Sequence, residues 1–274
     1  MARRRLDEEL VAQGFFRNTN DAMRAVMAGD VSGPSMRYQS AGTQVKPGCE
    51  LHVRGSLPYV SRGGLKLEHG LDYFGVDPAG LSCVDVGCST GGFTDCLLSR
   101  GAARVLSVDV GYAQFDWSLR QDPRVELLER TNIVDVPTPE RAHAIDLAVC
   151  DVSFTSVLTV LPAVCELLAP GGRFLTLVKP QFEAAREDVG EGGVIRSESV
   201  RLACVEKVSA AFEEAGFEVA GYCESPITGA KGNHEYLLLG TLNYLRAGLK
   251  GVPRRDQAVS HGLAGPLRAR LVYR

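Results

Sequence analysis

Apolar residues along the chain fall into two rhythms. Compact apolar runs, ending in turn residues, alternate with stretches whose apolar positions recur at helical spacing. The runs predict strands over 81–86, 104–110, 125–129, 146–151, 172–178, 217–224 and 234–242, and the stretches between them predict helices over 92–100, 113–121, 156–168 and 198–215. A further helix over 61–75 precedes the first of these strands. Strands that alternate with helices build an α/β, doubly wound and mostly parallel sheet. The last two strands have no helix between them and are expected to pair antiparallel. Upstream, RLDEELVAQG and TNDAMRAVMAGD read as two short helices, stopped at Gly14 and Gly29 and capped in the second case by Asn18–Asn20, with small strands at 30–32 and 50–53. These patterns divide the chain into a unit at 1–55, a linker at 56–60, a main domain at 61–245 and a basic tail at 246–274.

The stretch LSCVDVGCSTGGFT at 81–94 carries the most chemical information. A strand ends at Asp85 and Val86, and the loop that follows holds Gly87, Gly91 and Gly92 before a helix begins. Glycines there let the backbone turn tightly and approach a ligand, and open α/β sheets bind ligands at the carboxyl ends of their strands. Dinucleotide sites use G-x-G-x-x-G; the spacing here is D-x-G-x-x-x-G-G, which suits a nucleoside lacking phosphates and ending in a cationic amino acid. That pattern resembles the first motif of S-adenosylmethionine-dependent methyltransferases. Taken alone, the turn also fits another Rossmann-type nucleotide site or a purely structural bend. Asp109 closes the second strand about 20 residues later, where such folds place an acid on ribose hydroxyls. Asn132, after the third strand, is placed either to meet the adenine edge or to cap a turn.

Charge changes the picture along the chain rather than in total. The net charge is −3, yet residues 1–55 hold 8 Lys or Arg against 6 Asp or Glu, 56–245 hold 15 against 26, and 246–274 hold 7 against 1. A polyanion is attracted to the ends and needs local basic residues to approach the middle. No apolar run approaches the length that spans a bilayer, and MARRRLDEEL lacks an apolar signal core, so a cytoplasmic location is expected. Eight cysteines without a CxxC pair read as buried thiols, and no metal site is expected.

Two further strand ends add reactive groups to the same crevice: Asp151 in AVCDVSF and Lys179 in LTLVKPQFE. Only 6 of the 30 basic residues are lysines, so a lysine ending an apolar strand in an arginine-preferring chain is informative. Lysine can shift its pKa and move protons, whereas a guanidinium stays charged. Residues 183–197, with Arg186, Arg196 and several glycines, read either as a mobile lid facing RNA or as an ordinary connection.

The segments YVSRGGLKL, DVGCSTGGFTDCLL, SVDVGYAQFDWSLRQDPRV, LERTNI, DVSFTS, LVKPQFE, GEGGVI and GNHEYLL occur in order over nearly the whole chain, and together they resemble the TlyA family. Its members are bacterial proteins called hemolysins and ribosomal RNA 2′-O-methyltransferases, related to the FtsJ group. The resemblance implies a Rossmann-like S-adenosylmethionine-dependent methyltransferase fold, S-adenosylmethionine as cofactor, and ribosomal RNA or ribosomal subunits as partner, with cytidine as the modified nucleotide. It implies a catalytic tetrad of Lys66, Asp151, Lys179 and Glu235. In that scheme Lys179 orients and deprotonates the hydroxyl or stabilises its alkoxide, Asp151 and Glu235 hold Lys179, and Lys66 adds positive potential. The candidate cofactor residues are Asp85, Gly87, Ser89, Thr90, Gly91, Gly92, Phe93, Asp109, Asn132 and Asp151.

The first unit resembles the alpha-L RNA-binding motif through Arg5, Leu6, Asp7, Leu10, Ala22, Gly29, Val31, Val45 and Gly48. Its loop lacks the usual basic character. The expected RNA surface therefore rests on Arg4, Arg5, Arg17, Arg24 and Arg37, with Arg62, Arg186 and Arg196 on the main domain. The alternatives are a methyltransferase acting on another RNA and a membrane-active hemolysin. The second is disfavoured because no spanning segment or strongly basic amphipathic helix is present.

Overall fold

The structure is a computed structural model that describes residues 3–16, 18–34, 36–53 and 58–243. Arg17, residues 56–57 of the linker and the tail at 246–274 lie outside the described residues. The first unit contains β1 (Arg4–Arg5), α1 (Leu6–Ala12), α2 (Thr19–Met27), β2 (Val31–Ser32), β3 (Gln44–Val45) and β4 (His52–Val53). Two-residue antiparallel pairings join β1 to β3 and β2 to β4. The first of these has no periodic signal in sequence, because two residues are too few to alternate. Leu6, Leu10, Ala22, Val26 and Val31 close a small core of their own.

The main domain follows as α3 (Gly63–Phe74), β5 (Ser82–Val86), α4 (Gly92–Ser99), β6 (Arg104–Val108), α5 (Trp117–Arg120), β7 (Val125–Leu128), β8 (Ile145–Cys150), α6 (Leu161–Leu167), β9 (Leu168–Val178), α7 (Pro180–Glu183), α8 (Glu198–Glu214), β10 (Phe217–Glu224) and β11 (Tyr236–Leu242). Seven strands form one sheet in the order β10-β11-β9-β8-β5-β6-β7. The five strands from β9 to β7 are parallel, and β11 inserts antiparallel between β9 and β10. Helices cover both faces. Val164 and Leu167 of α6 and Val205, Val208 and Phe212 of α8 pack on one side, while Leu67 and Leu71 of α3 and Phe93, Cys96 and Leu97 of α4 pack on the other. Burial on both faces explains why the central strands read as continuous apolar runs rather than alternating ones.

Two predicted helices come out differently. The segment 113–121 is helical only over Trp117–Arg120. Ala113 has a positive φ, Asp116 caps the short helix through Ser118, and the Asp116 amide is bonded to the Thr90 carbonyl of the glycine turn. Tertiary bonding to that turn therefore overrides local helix propensity. The segment 156–168 is broken into a 3-10 turn at Val157–Thr159, capped by Ser156, and a helix starting at Leu161. Its last residue, Leu168, already belongs to β9. Among the described residues no helix is long and apolar enough to cross a membrane.

Candidate active site

The glycine turn joins β5 to α4 at the carboxyl edge of the sheet. Gly87 and Gly91 both take left-handed backbone angles, with φ of 82° and 97°. The amides of Gly87 and Cys88 bond the Val108 carbonyl at the end of β6, and Gly91 bonds back to Cys88. A Cβ on Gly87 would stand 3.0 Å from the Asp151 carbonyl oxygen, and one on Gly91 would stand 2.5 Å from Leu119. Both glycines therefore sit where a conformational and a steric demand coincide. Gly92 packs against Ser61 and Gly64, so the starts of α3 and α4 touch.

These segments border a cavity of about 270 Å³ whose wall includes Lys66, Gly87, Ser89, Thr90, Gly92, Phe93, Asp151 and Lys179. A smaller hollow continues from it past Ser89, Asp109, Tyr112 and Glu129. Asp109 accepts hydrogen bonds from the Ser89 amide at 2.7 Å and the Gly111 amide at 2.6 Å, which fixes its carboxylate at the edge of this hollow. S-adenosylmethionine fits these residues. The cradle is bare of side chains where a nucleoside would approach, and Asp109 and Asp151 are acids of the kind that a ribose and a cationic end would require.

Asn132 and Asp85 take positions that narrow their roles. Asn132 accepts from the Val134 amide at 3.3 Å, so it caps a 3-10 turn, and it lies on the wall of neither cavity. Asp85 lies behind the turn, fully buried, rather than on the cavity wall. Its Oδ2 accepts from Thr94 at 2.7 Å, Thr94 is 2.7 Å from Ser107, and its Oδ1 has no hydrogen-bond partner among the described residues. Burial pushes the Asp85 carboxyl up to about 7, aided by Asp151 and Asp109 and opposed by the Thr94 hydrogen bond. A carboxyl that is easier to protonate in the fold than in the unfolded chain favours the fold most below pH of about 4 and loses that contribution as pH rises through 7. Asp85→Asn is expected to gain on the wild type by up to about 4 kcal/mol between pH 4 and 8, since each pKa unit is worth about 1.4 kcal/mol. Urea unfolding of both proteins across that range measures the difference; parallel pH profiles would show that Asp85 is not the titrating group.

The four tetrad residues meet as two ion pairs. Lys179, at the end of β9, stands 2.6 Å from Asp151 Oδ1 and donates to Ser153 Oγ at 2.8 Å. Lys66 on α3 donates to Glu235 Oε2 at 2.5 Å, just before β11. Both lysines and Glu235 are buried. The expectation that Glu235 holds and tunes Lys179 is corrected in part: Glu235 bonds Lys66, because α3 runs over that edge of the sheet, and acts on Lys179 through its charge alone. Glu235 also sits beneath Gly229, whose Cβ would fall 2.0 Å from Oε1, so that a side chain at 229 would displace the carboxylate. Burial alone would lower the Lys179 ammonium, but Asp151 and Glu235 outweigh it and its pKa is raised. Lys179 rests as an ammonium, not as a free base.

Sequence reading passed over Ser153 and Glu183. Ser153 lies within DVSF, and its hydroxyl contact with Lys179 depends on two strand ends meeting. Glu183 accepts from Ser156 Oγ at 2.5 Å and from the Val157 amide at 2.7 Å, strapping the loop after Asp151 to α7. Burial raises its pKa against the pull of those two bonds.

The arginines expected to meet RNA are scattered. Arg4 pairs with Glu9 at 2.9 Å, Arg5 with Asp7 at 2.6 Å, and Arg24 with Asp21 at 3.5 Å. Arg37, Arg186 and Arg196 are exposed. Arg62 is different: it is half-buried, lines the cavity and bonds Gln13 of the first unit. The loop at 183–197 is latched: Lys231 donates to Gly192, and Asn233 donates to Gly193 and accepts from Ile195. These bonds argue against a freely moving lid over 192–195.

Residues 59–241 match the FtsJ-like methyltransferase family. The chain is 42% identical over 241 residues to the Mycobacterium tuberculosis protein named 16S/23S rRNA (cytidine-2'-O)-methyltransferase TlyA, spanning 87% of this chain and 90% of that one. It is 38% identical over 234 residues to Hemolysin A of Brachyspira hyodysenteriae, spanning 85% and 98%. A solved structure of a hemolysin-named protein from Streptococcus thermophilus superposes with a TM-score of 0.69 at 41% identity over 89% of this chain and 90% of that one. With a glycine cradle for S-adenosylmethionine beside two lysine–carboxylate pairs, the chain belongs to the FtsJ-like methyltransferases and within them to the TlyA family.

Proposed function

We propose that this protein methylates a ribose 2′-hydroxyl of ribosomal RNA, with cytidine as the target nucleotide. The observation that carries the reading is the convergence of Lys179–Asp151 and Lys66–Glu235 beside the glycine turn. The Mycobacterium tuberculosis relative's name supports the RNA and the nucleotide. S-adenosylmethionine, when bound, supplies an electrophilic methyl group. Gly87, Ser89, Thr90 and Gly92 would hold it through backbone approach, with Asp109 at the ribose.

A ribose hydroxyl is a weak nucleophile and has to lose its proton as it attacks. Lys179 Nζ is the cavity-wall group able to direct a proton at that oxygen and to stabilise the negative charge developing there. Because Lys179 is already an ammonium, it accepts the hydroxyl proton only by passing one of its own to Asp151 Oδ1, 2.6 Å away. Ser153 holds Nζ in line through its hydroxyl. Lys66 lines the adjoining wall with its ammonium paired to Glu235, so its charge acts on an anionic substrate only weakly and at a distance. The first unit would bind structured RNA by shape and backbone contact, with Arg24, Arg37 and Lys46 among its exposed basic residues and Arg4 and Arg5 held by acids. This activity places the protein in the cytoplasm, with ribosomes.

Incubating the protein with each ribosomal subunit and methyl-labelled S-adenosylmethionine, then mapping the label, tests the reading. The expected product is 2′-O-methylcytidine in ribosomal RNA. Label on a base, or in no RNA, would sink it.

A further inference from the structure

One buried side chain of the first unit bonds a residue of the cavity wall. Gln13, 3% exposed at the end of α1, donates from Nε2 to Glu9 Oε1 at 2.8 Å and to the Cys49 carbonyl at 2.8 Å. Glu9 is itself fully buried and further held by the Gly48 amide at 2.7 Å and by Arg4 at 2.9 Å. These bonds fix which way the Gln13 amide faces, and they leave its Oε1 pointing at Arg62, whose Nη1 donates to it at 3.0 Å. The Arg62 guanidinium also lies 5.5 Å from the centre of the Phe15 ring. Nη1 also donates to the Gln13 carbonyl at 3.5 Å, whereas Nε and Nη2 have no hydrogen-bond partner among the described residues, and the residue lines the cavity between Ser61 and Gly63.

The surrounding contacts make this docking firm. A Cβ on Gly14 would come within 2.3 Å of Ile227, and one on Gly48 within 3.0 Å of the Lys231 and Gly232 backbone. The segment they press on carries Thr228 and Gly229, which line the same cavity. Two walls of the cavity are therefore seated on the first unit.

We propose that Gln13 is a positioning residue for the methyl transfer: it aims the Arg62 guanidinium at the phosphate of the nucleotide whose ribose enters the cavity. This rests on the reading of the protein as a ribosomal RNA methyltransferase. A guanidinium presents a planar fork that matches phosphate oxygens, and burial of one edge on Gln13 and Phe15 leaves the other edge to be presented. A long arginine without such a brace samples many rotamers, and small misplacement of a reacting group costs much of its rate.

The test is a double-mutant cycle on Gln13→Leu and Arg62→Met with ribosomal subunits as substrate. Each single variant is expected to lower kcat about tenfold, to change subunit affinity less than about twofold, and to leave S-adenosylmethionine affinity by calorimetry unchanged. The double variant is expected to be no slower than Arg62→Met alone, because Gln13 acts through Arg62. Multiplied losses in the double variant, or a Gln13→Leu enzyme as fast as wild type, overturn the proposal. If Gln13→Leu fails to fold, Arg62→Met decides: an unchanged kcat there overturns it equally. A wild-type protein that methylates no ribosomal RNA overturns the underlying reading instead.

Discussion

Lys179→Met is expected to reduce methyl transfer by about 10²–10⁴-fold, the range that a positioned proton-transfer group supplies. The methionine keeps the apolar stem that fills the end of β9 and removes only the ammonium. S-adenosylmethionine affinity should stay within about twofold of wild type, because the glycine turn and Asp109 make no contact with Nζ. Stability should fall by about 1–3 kcal/mol, since Asp151 Oδ1 is buried and loses its ion-pair partner. Calorimetric titration, single-turnover methylation and thermal unfolding of one preparation separate these three quantities. Residual turnover near the wild-type rate would remove Lys179 from the reaction. Lost cofactor binding would show instead that Lys179 shapes the cradle. Lys66→Met should cost less, because its charge is spent on Glu235 and acts on the substrate only at a distance.

Gly87→Ala is expected to weaken S-adenosylmethionine binding at least tenfold and to destabilise the fold by about 1–3 kcal/mol. Two penalties add at this position. The φ of 82° is costly for any residue with a Cβ, and that Cβ would press on the Asp151 carbonyl oxygen at 3.0 Å, a backbone atom with no rotamer to escape into. Relief requires the turn to move away from the end of β8, which shifts the cradle and Asp151 together. Gly192→Ala separates strain from contact, because its φ of 80° is nearly the same and a Cβ there would meet nothing within 4 Å. It should lose a similar increment of stability with cofactor affinity intact. Equal loss of affinity in both variants would mean that the close approach at Gly87 has no special role.

Much of the architecture is legible in the linear pattern, for a local reason. Strand and helix periods are set by neighbouring residues, so all seven strands of the sheet and the helices at 61–75, 92–100 and 198–215 can be read before any contact is known. The antiparallel pairing of the last two strands follows from the missing crossover between them. What local pattern does not carry is competition from distant groups. The helix at 113–121 is cut short because Asp116 bonds the glycine turn, and Asn132 spends its side chain on a cap.

The site divides along the same line. By itself the sequence determines which groups are present at the strand ends: the glycines after β5, Asp109, Asp151 and Lys179 each follow an apolar run, and chain connectivity alone sends such ends to one edge of a parallel sheet. Only the tertiary structure decides who pairs with whom. Glu235 lies 169 residues from Lys66 and is taken by it because α3 crosses that edge, leaving Asp151 and Ser153 to Lys179. Burial likewise decides protonation: it leaves Asp85 without a countercharge and poised near neutrality, while two nearby carboxylates keep Lys179 an ammonium. Residue identity is a local property of the chain, but the partner, the exposure and the charge state of a side chain depend on what the fold brings within a few ångströms of it.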